Sequence, residues 1–260
     1  MKIAAIQMDI AWADPPTNRA RAEAAFATLP SDVELIVLPE MFSTGFATQP
    51  EGIAEDEPCA TLDWMRAQAA LRNCAIAGSV ALALKGSGGG VTYRNRFYFV
   101  KPDGSVRHYD KHHLFSYGGE DRCYTAGDER VVVEWQGVRF LLMVCYDLRF
   151  PCWCRNHADY DCALYVANWP VARIEAWQTL LRARAIENQC YVVGVNRVGR
   201  DPHCSYSGAS AVIDAYGRVV AACPDAEAAA IVAEIDLDIL RAFRQKFPVL
   251  EDRDGKWLNS

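Results

Sequence analysis

The sequence lacks several features that would assign it to an exported, membrane or nucleic-acid-binding class. No uninterrupted apolar run reaches the roughly 18 residues that a membrane-spanning helix needs. The apolar start MKIAAIQMDIAW is broken by Gln7 and Asp9 before it could form the hydrophobic part of a signal peptide. Positive charge is scarce, since 27 Lys and Arg against 33 Asp and Glu give a net charge of -6. We therefore expect a cytoplasmic protein whose partner is a small molecule, with no nucleic acid and no membrane.

Linkers, repeats and low-complexity tracts are missing as well. No Pro-rich or Ser-rich stretch divides the chain, and no repeat of fixed period is present, which predicts a single domain over residues 1–260. With 51% hydrophobic and 23% charged residues, the composition is typical of a folded protein. The ten cysteines are spread along a large chain without an export signal, so we expect reduced thiols and not a disulfide framework.

What the sequence does contain is an alternation of strand and helix patterns. Continuous apolar runs predict buried strands at 33–38, 75–84, 139–145, 163–168 and 191–196. Helical patterns occur at 17–29, 59–72 and 174–189. Turn residues at 102–104, 136–137 and 216–217 predict hairpins, and the glycine cluster at 85–90 predicts a hairpin tip because it does not fit a phosphate-binding loop. The sequence thus predicts an α/β fold with mixed sheets.

Three segments place a reactive residue at the end of a predicted strand or hairpin, where α/β folds expose side chains to ligands. They are LPEMF (38–42), YDKHHLF (109–115) and VCYDLRFP (144–151). Glu40 has apolar neighbours, which suits a general base. The non-catalytic alternatives are that Glu40 is a surface glutamate, Lys111 a solvated lysine and Cys145 an inert buried thiol.

The third segment has the geometry of a nucleophile turn. Cys145 ends a strand, so its side chain would be exposed and the next backbone N–H, that of Tyr146, could point at an oxyanion. Pro151 permits a helix to begin after this turn, and we expect residues 152–157 to begin it. We expect the ammonium of Lys111 both to favour the thiolate of Cys145 and to stabilise the oxyanion. With Glu40, these residues supply a base, a stabiliser and a nucleophile for acyl transfer.

These segments occur together with KIAAIQMD (2–9), ANWP (167–170), RARAIENQCYVVGVNRVG (182–199) and IDLDILRAFRQKFPVLEDR (235–253). In this combination the sequence resembles the nitrilase or carbon–nitrogen hydrolase superfamily. The resemblance implies a four-layer αββα sandwich, a homodimer or higher homo-oligomer, and a site without metal or cofactor. It also implies that Glu40, Lys111 and Cys145 are catalytic. A second catalytic glutamate would be Glu120, with Asp121 and Glu129 as alternatives.

The residues around the cysteine resemble one branch of this superfamily. CYDLRFP (145–151) and NWP (168–170) look like the omega-amidases, which hydrolyse the side-chain amide of 2-oxo acids. Nitrilases typically carry Trp-Glu after the cysteine, whereas this chain has Tyr146 and Asp147. We expect hydrolysis of a small linear amide by way of a cysteine thioester, with water as co-substrate and release of ammonia. The alternatives are a carbamoyl-amide hydrolase, a nitrilase, or a non-catalytic metabolite-binding or regulatory protein.

A 2-oxo acid would need a cation for its carboxylate. Arg149 and Arg173 are the candidates because a guanidinium can bind a carboxylate bidentately, and the alternative is that each pairs with a surface acid. Trp169 would supply an apolar wall or a core side chain, and Tyr146 would contact the substrate.

Two other patterns are not assigned to the chemistry. CWCRNH (152–157) lacks the spacing and the fourth ligand of a zinc site, so we expect no metal there. His112 and His113 are expected to shape the loop around Lys111.

Overall fold

The computed structural model of the protein describes residues 1–86 and 88–253. Within these residues the α-helices are α1 (Pro15–Phe26), α2 (Ala60–Arg72), α3 (Ile174–Glu187) and α4 (Leu237–Lys246). The strands are β1 (Lys2–Gln7), β2 (Leu35–Val37), β3 (Glu55–Asp56), β4 (Ala75–Lys85), β5 (Val91–Val100), β6 (Val106–Asp110), β7 (Val132–Trp135), β8 (Val138–Val144), β9 (Cys162–Val166), β10 (Tyr191–Val195), β11 (Val198–Arg200), β12 (Ser205–Ser207), β13 (Ala211–Ile213), β14 (Val219–Ala222) and β15 (Ala229–Glu234).

The strands form two large mixed sheets. The first has the order β15-β1-β2-β4-β5-β6, with β3 paired to β4, and the second has the order β14-β13-β10-β9-β8-β7. In each sheet the central strands are parallel, as between β1, β2 and β4 or between β8, β9 and β10, while the outer strands pair antiparallel. A short hairpin, β11-β12, lies apart from both. Because parallel strands end at the same edge, the residues after β8 and β9 can meet. The backbone N–H of Asn168 also donates to Glu40, so the end of β2 in the first sheet reaches this edge of the second.

The two sheets pack face to face, with helices on their outer sides. In β1, Ile3 and Ala5 belong to the core between the sheets, whereas Ala4 and Ile6 pack with buried side chains of α1 and α2. This alternation is the two-residue period of a strand that is buried on both faces. Helix α3 packs against the second sheet through a core that includes Trp177. The layers are therefore helix, sheet, sheet and helix, which confirms the predicted αββα sandwich.

The close packing of α3 on β10 depends on one glycine. A Cβ placed on Gly194 would lie 2.4 Å from a methyl carbon of Leu181 and 3.0 Å from the ring of Trp177. Any side chain at position 194 would force that of Leu181 to shift, so the glycine lets α3 lie close to the sheet. This contact fixes the helix that follows the segment carrying Trp169 and Arg173.

The predicted strands, helices and hairpins are found, with small shifts at their ends. Strands β4 and β5 flank the glycine cluster and pair antiparallel from Lys85 and Val91, as a hairpin tip requires, although residue 87 lies outside the described residues. One expectation was wrong, because no helix begins at residues 151–157. Residues 145–149 form a 3-10 helix and residues 151–154 form turns, so the chain turns away immediately after the nucleophile segment. No α-helix in the described ranges is long and apolar enough to cross a bilayer.

Candidate active site

A cavity of about 300 Å³ opens at the strand ends where the two sheets meet. Cys145 lines it, and the surrounding wall is rich in aromatic side chains. Its lining includes Phe46, Phe115, Tyr146, Arg149, Asn168, Trp169, Arg173, Asp201, His203 and Tyr206. The last three come from the β11-β12 hairpin and its turn, so this small sheet forms one side of the mouth. The size suits a small molecule.

Glu40 lies below this cavity, three residues after β2, and its side chain is fully buried. Its Oε1 accepts hydrogen bonds from Nζ of Lys111 at 2.9 Å and from Nδ2 of Asn95 at 2.8 Å. Its Oε2 accepts the backbone N–H of Asn168 at 2.8 Å. The following residue, Met41, has a left-handed φ of 43°. Such a backbone is costly for a residue with a side chain, so the turn that aims Glu40 is held by the packing around it.

Lys111 follows directly after β6 and is fully buried. Its Nζ donates to Oε1 of Glu40 at 2.9 Å and to Oε2 of Glu120 at 2.8 Å. Burial opposes the charge of the ammonium, but the negative charges of Glu120 and Glu40 outweigh it and raise the pKa of Lys111 well above its usual range. An ammonium has three N–H donors, so one remains for a substrate oxygen.

Glu120 is the second carboxylate that contacts Lys111. It begins a short 3-10 helix and is fully buried, whereas Asp121 and Glu129 are exposed. Its Oε2 accepts the backbone N–H of Phe115 at 2.6 Å in addition to the bond from Lys111. Burial raises the pKa of Glu120, although the charge of Lys111 opposes the shift. Of the three acids that the sequence left open, the structure places only Glu120 against the lysine.

Cys145 begins the 3-10 helix that follows β8, with a left-handed φ of 46° and a side chain that is 8% exposed. Burial first, and the negative charge of Glu40 second, raise the pKa of its thiol well above the usual range, against the opposing charge of Lys111. Lys111 favours the thiolate, as predicted, but its effect is smaller than that of burial. The sulfur carries its proton until a base removes it, because desolvation outweighs one ammonium that is itself shared by two carboxylates.

Sequence reasoning missed the amide side chains that hold these carboxylates. Nδ2 of Asn95 donates to Oε1 of Glu40 and, at 3.1 Å, to Oε1 of Glu120. Oδ1 of Asn95 accepts from the hydroxyl of Ser79 at 2.9 Å. Nδ2 of Asn168 donates to the backbone oxygen of Glu40 at 2.6 Å. In the sequence, Asn168 stands out only because the NWP segment belongs to the family resemblance. No local pattern marks Asn95 within β5.

Asp147 was also missed as a structural link. Its buried carboxylate accepts the backbone N–H groups of Val144 at 2.9 Å and of His113 at 3.0 Å, and the hydroxyl of Tyr109 at 2.8 Å. Nδ1 of His113 lies 2.9 Å from the same carboxylate. Asp147 therefore ties the strand before the nucleophile to the segment that carries Lys111.

The two histidines next to the lysine pack against aromatic side chains. The ring of His113 stacks on Phe150 with centroids 3.7 Å apart, and the ring of His112 stacks on Trp153 at the same distance. Both contacts hold the lysine segment against residues that follow Cys145. This is the loop-shaping position that the sequence predicted for these histidines.

The predicted substrate-contacting residues all line the cavity. Arg149 lies over the ring of Trp169 at 5.0 Å, and Arg173 lies over the ring of Phe115 at 5.2 Å. Within the described part of the chain, neither arginine forms an ion pair with a carboxylate. Trp169 is both wall and core, since it is 2% exposed and packs on Trp177 with centroids 5.5 Å apart.

The CWCRNH segment lies beside this region. Cys152 and His157 are exposed, whereas Cys154 is buried and its thiol donates to the backbone oxygen of Pro151 at 3.5 Å. Across residues 1–86 and 88–253, no three His, Cys, Asp or Glu side chains converge in a way that could hold a metal ion. All ten cysteines have free thiols.

A thiol at the mouth of a cavity, next to a buried carboxylate and an ammonium, is the arrangement of a hydrolase with a cysteine nucleophile. The sequence profile of the carbon–nitrogen hydrolase family matches residues 2–245, and the chain belongs to this family. Omega-amidase YafV of Yersinia enterocolitica is 47% identical over 98% of this chain and 97% of that protein. The 2-oxoglutaramate amidase of Bacillus subtilis strain 168 is 33% identical over 96% of each chain.

Solved structures show the same fold. A carbon–nitrogen hydrolase superfamily protein from Xanthomonas campestris, with an arsenic adduct in its active site, superposes with a TM-score of 0.92. It is 42% identical and covers 98% of this chain and 97% of its own. Nit3 of Saccharomyces cerevisiae, a member of the nitrilase superfamily, superposes with a TM-score of 0.84 at 24% identity, over 95% of this chain and 94% of its own.

Proposed function

We propose that this protein hydrolyses the terminal amide of a short 2-oxo acid of the 2-oxoglutaramate type, with release of ammonia. The names of the relatives at 47% and 33% identity support this substrate class. The observation that carries the proposal is that one small cavity is lined by Cys145 and by two arginines that form no ion pair with any carboxylate of residues 1–86 and 88–253. One end of that cavity suits an amide carbon, and the arginines suit a carboxylate.

The first half of the reaction forms a thioester. Glu40 takes the proton of Cys145 as the sulfur attacks the amide carbon, which is needed because the thiol is protonated at rest. The oxyanion is held by the remaining N–H of Lys111 and by the backbone N–H of Tyr146. Glu40 then passes the proton to the leaving nitrogen, and ammonia departs as the carbon–nitrogen bond breaks.

The second half restores the enzyme. Glu40 removes a proton from a water molecule, whose oxygen attacks the thioester carbon. The carbon–sulfur bond breaks, the acid is released, and the sulfur regains a proton. Glu120 stays bonded to Lys111 at 2.8 Å throughout, so the ammonium keeps its position for both oxyanions.

Measuring ammonia release from a panel of substrates tests the assignment. We expect 2-oxoglutaramate to be hydrolysed with the highest kcat/KM, above a neutral short-chain amide, a carbamoyl compound and a nitrile. A preference for the neutral amide would overturn the substrate class while leaving the cysteine chemistry in place. No turnover of any compound would favour a non-catalytic protein.

We further infer one domain over residues 1–260, a cytoplasmic location and association into a homodimer. Support for the dimer comes from an exposed apolar face formed by α3, α4 and the β13-β14 turn. Ile186, Ile239 and Phe247 are 54%, 57% and 59% exposed on it, and Tyr216 packs on Phe243 with ring centroids 4.0 Å apart. Grouped exposed apolar side chains mark interaction surfaces more often than single ones do. Sedimentation of the purified protein would test the association.

A further inference from the structure

Asn95 contacts both catalytic carboxylates through a single amide group. Its Nδ2 lies 2.8 Å from Oε1 of Glu40 and 3.1 Å from Oε1 of Glu120. Asn95 is 1% exposed and does not line the cavity, so it cannot be explained as a substrate contact. The backbone oxygen of Asn95 also accepts the N–H of Lys111 at 3.0 Å. One residue of β5 thus bonds both carboxylates and the backbone of the lysine that lies between them.

The orientation of this amide is set by its neighbours. The backbone N–H of Met41 donates to Oγ of Ser79 at 2.9 Å, so the hydroxyl hydrogen of Ser79 is free to donate to Oδ1 of Asn95 at 2.9 Å. Both hydrogens of Nδ2 must then point to the two glutamates. A flipped amide would aim its oxygen at two carboxylates and would lose both bonds to the glutamates. This series of hydrogen bonds begins at the backbone N–H of Met41, the residue after Glu40, and ends at the carboxylates of Glu40 and Glu120.

We propose that Asn95 is a positioning residue that fixes Glu40 and Glu120 on two sides of the Lys111 ammonium. The inference rests on the proposed role of Glu40 as base and goes beyond it. Without the amide, Oε1 of Glu40 keeps its bond from the lysine and Oε1 of Glu120 loses its bond, while Asn168 and Phe115 still hold the other two oxygens. Each carboxylate can then turn about the oxygen that is still held. The base and the oxyanion donor then lose the fixed geometry that acyl transfer needs.

The amide also affects protonation. A hydrogen bond to a carboxylate stabilises its charged form, so losing the bond from Asn95 makes Glu120 easier to protonate. The other titratable groups that face Glu120 are Lys111, Glu40, Cys145 and Tyr124. Each of them keeps its own side chain in an Asn95 variant, and the acidic limb of the pH profile therefore reports on the amide.

The test compares Asn95→Ala with Asn156→Ala. Asn156 is an equally buried amide outside the site, whose Nδ2 donates to the backbone oxygens of Tyr160 and Asn188. We expect Asn95→Ala to lower kcat about 100-fold with little change in KM. The acidic limb of its kcat/KM profile should move to higher pH by about one unit. Asn156→Ala should lose stability but keep the wild-type kcat and pH profile.

Ser79→Ala provides a second variant if Asn95→Ala does not fold. It leaves the amide in place but removes the donor that orients it. We therefore expect kcat to fall and the acidic limb to move to higher pH, each by less than in Asn95→Ala. The assay uses whichever amide the wild type turns over, so failure of the 2-oxo acid assignment would not affect the comparison. Wild-type pH profiles in both site variants would overturn the role of Asn95.

Discussion

The backbone N–H of Asn168 donates to Oε2 of Glu40 at 2.8 Å, across 128 positions of the sequence. Glu40 follows a strand of the first sheet, and Asn168 follows β9 of the second. The proposed general base is therefore held by both halves of the sandwich. Any change that shifts one sheet against the other would move the base relative to Cys145, which belongs to the second sheet.

Replacing the nucleophile should abolish turnover without unfolding the protein. Cys145→Ala is expected to lower kcat by at least about four orders of magnitude, because no other group can form the thioester. The side chain is small, so the free energy of unfolding should change by less than about 1 kcal/mol. Ammonia release and thermal unfolding measure the two effects. Comparable activity in the variant would contradict the mechanism.

The protonated resting state of Cys145 predicts a distinct pH dependence of alkylation. Because the pKa of the thiol is raised well above its usual range, the thiolate fraction at neutral pH is small and grows tenfold for each pH unit. The rate of iodoacetamide labelling of this cysteine should rise steadily from pH 7 to 9 without a plateau. Mass spectrometry of the labelled peptide gives the rate. A rate independent of pH in this range would show a resting thiolate.

Removing the lysine should leave two buried carboxylates without their counter-ion. Lys111→Met is expected to inactivate the enzyme and to lower the free energy of unfolding by about 3–5 kcal/mol. Adding Glu120→Gln removes one of the two facing charges, so the double variant should be more stable than Lys111→Met, although still inactive. Chemical denaturation compares them. Strictly additive losses of stability would argue that the two side chains do not share a site.

The arginines of the cavity should matter only for a charged substrate. Arg149→Ala and Arg173→Ala are each expected to cost about 2–5 kcal/mol in kcat/KM for 2-oxoglutaramate if they bind its carboxylate, and little for a neutral amide. Arg218→Ala is a matched control, since Arg218 lies over the ring of Tyr216 at 4.5 Å outside the cavity. If both site variants match this control on the 2-oxo acid, the arginines do not bind the substrate.

Asp147 should be needed for rate as well as stability. Asp147→Asn replaces one acceptor oxygen by an NH2 group. That group faces donors such as the backbone N–H of Val144, so buried hydrogen bonds are lost and the free energy of unfolding should fall by about 1–3 kcal/mol. Because the carboxylate links the Lys111 segment to Cys145, kcat should also fall. Asp161→Asn serves as control, since Asp161 is 7% exposed and pairs with Arg139 and Arg244 away from the cavity. That variant should lose stability and retain kcat.

The sequence by itself determined the strands, helices and hairpins, because apolar runs and turn residues act locally. It also singled out Glu40, Lys111 and Cys145, since each follows directly on a strand pattern, and the family resemblance joined them. The start of a helix after Pro151 was predicted wrongly. A proline permits a helix without requiring one, and the nearby turns are set by contacts such as the hydroxyl of Tyr160 with the backbone of Cys154 at 2.7 Å.

Only the tertiary structure decided which groups meet and how they are charged. Glu120 could be separated from Asp121 and Glu129 only by burial, because all three acids lie on the same stretch of loop. Asn95 has no local signal, since its partners are 55 and 25 positions away in sequence. The protonation state of Cys145 likewise follows from desolvation and from charges on other strands, and these quantities exist only once the two sheets have packed.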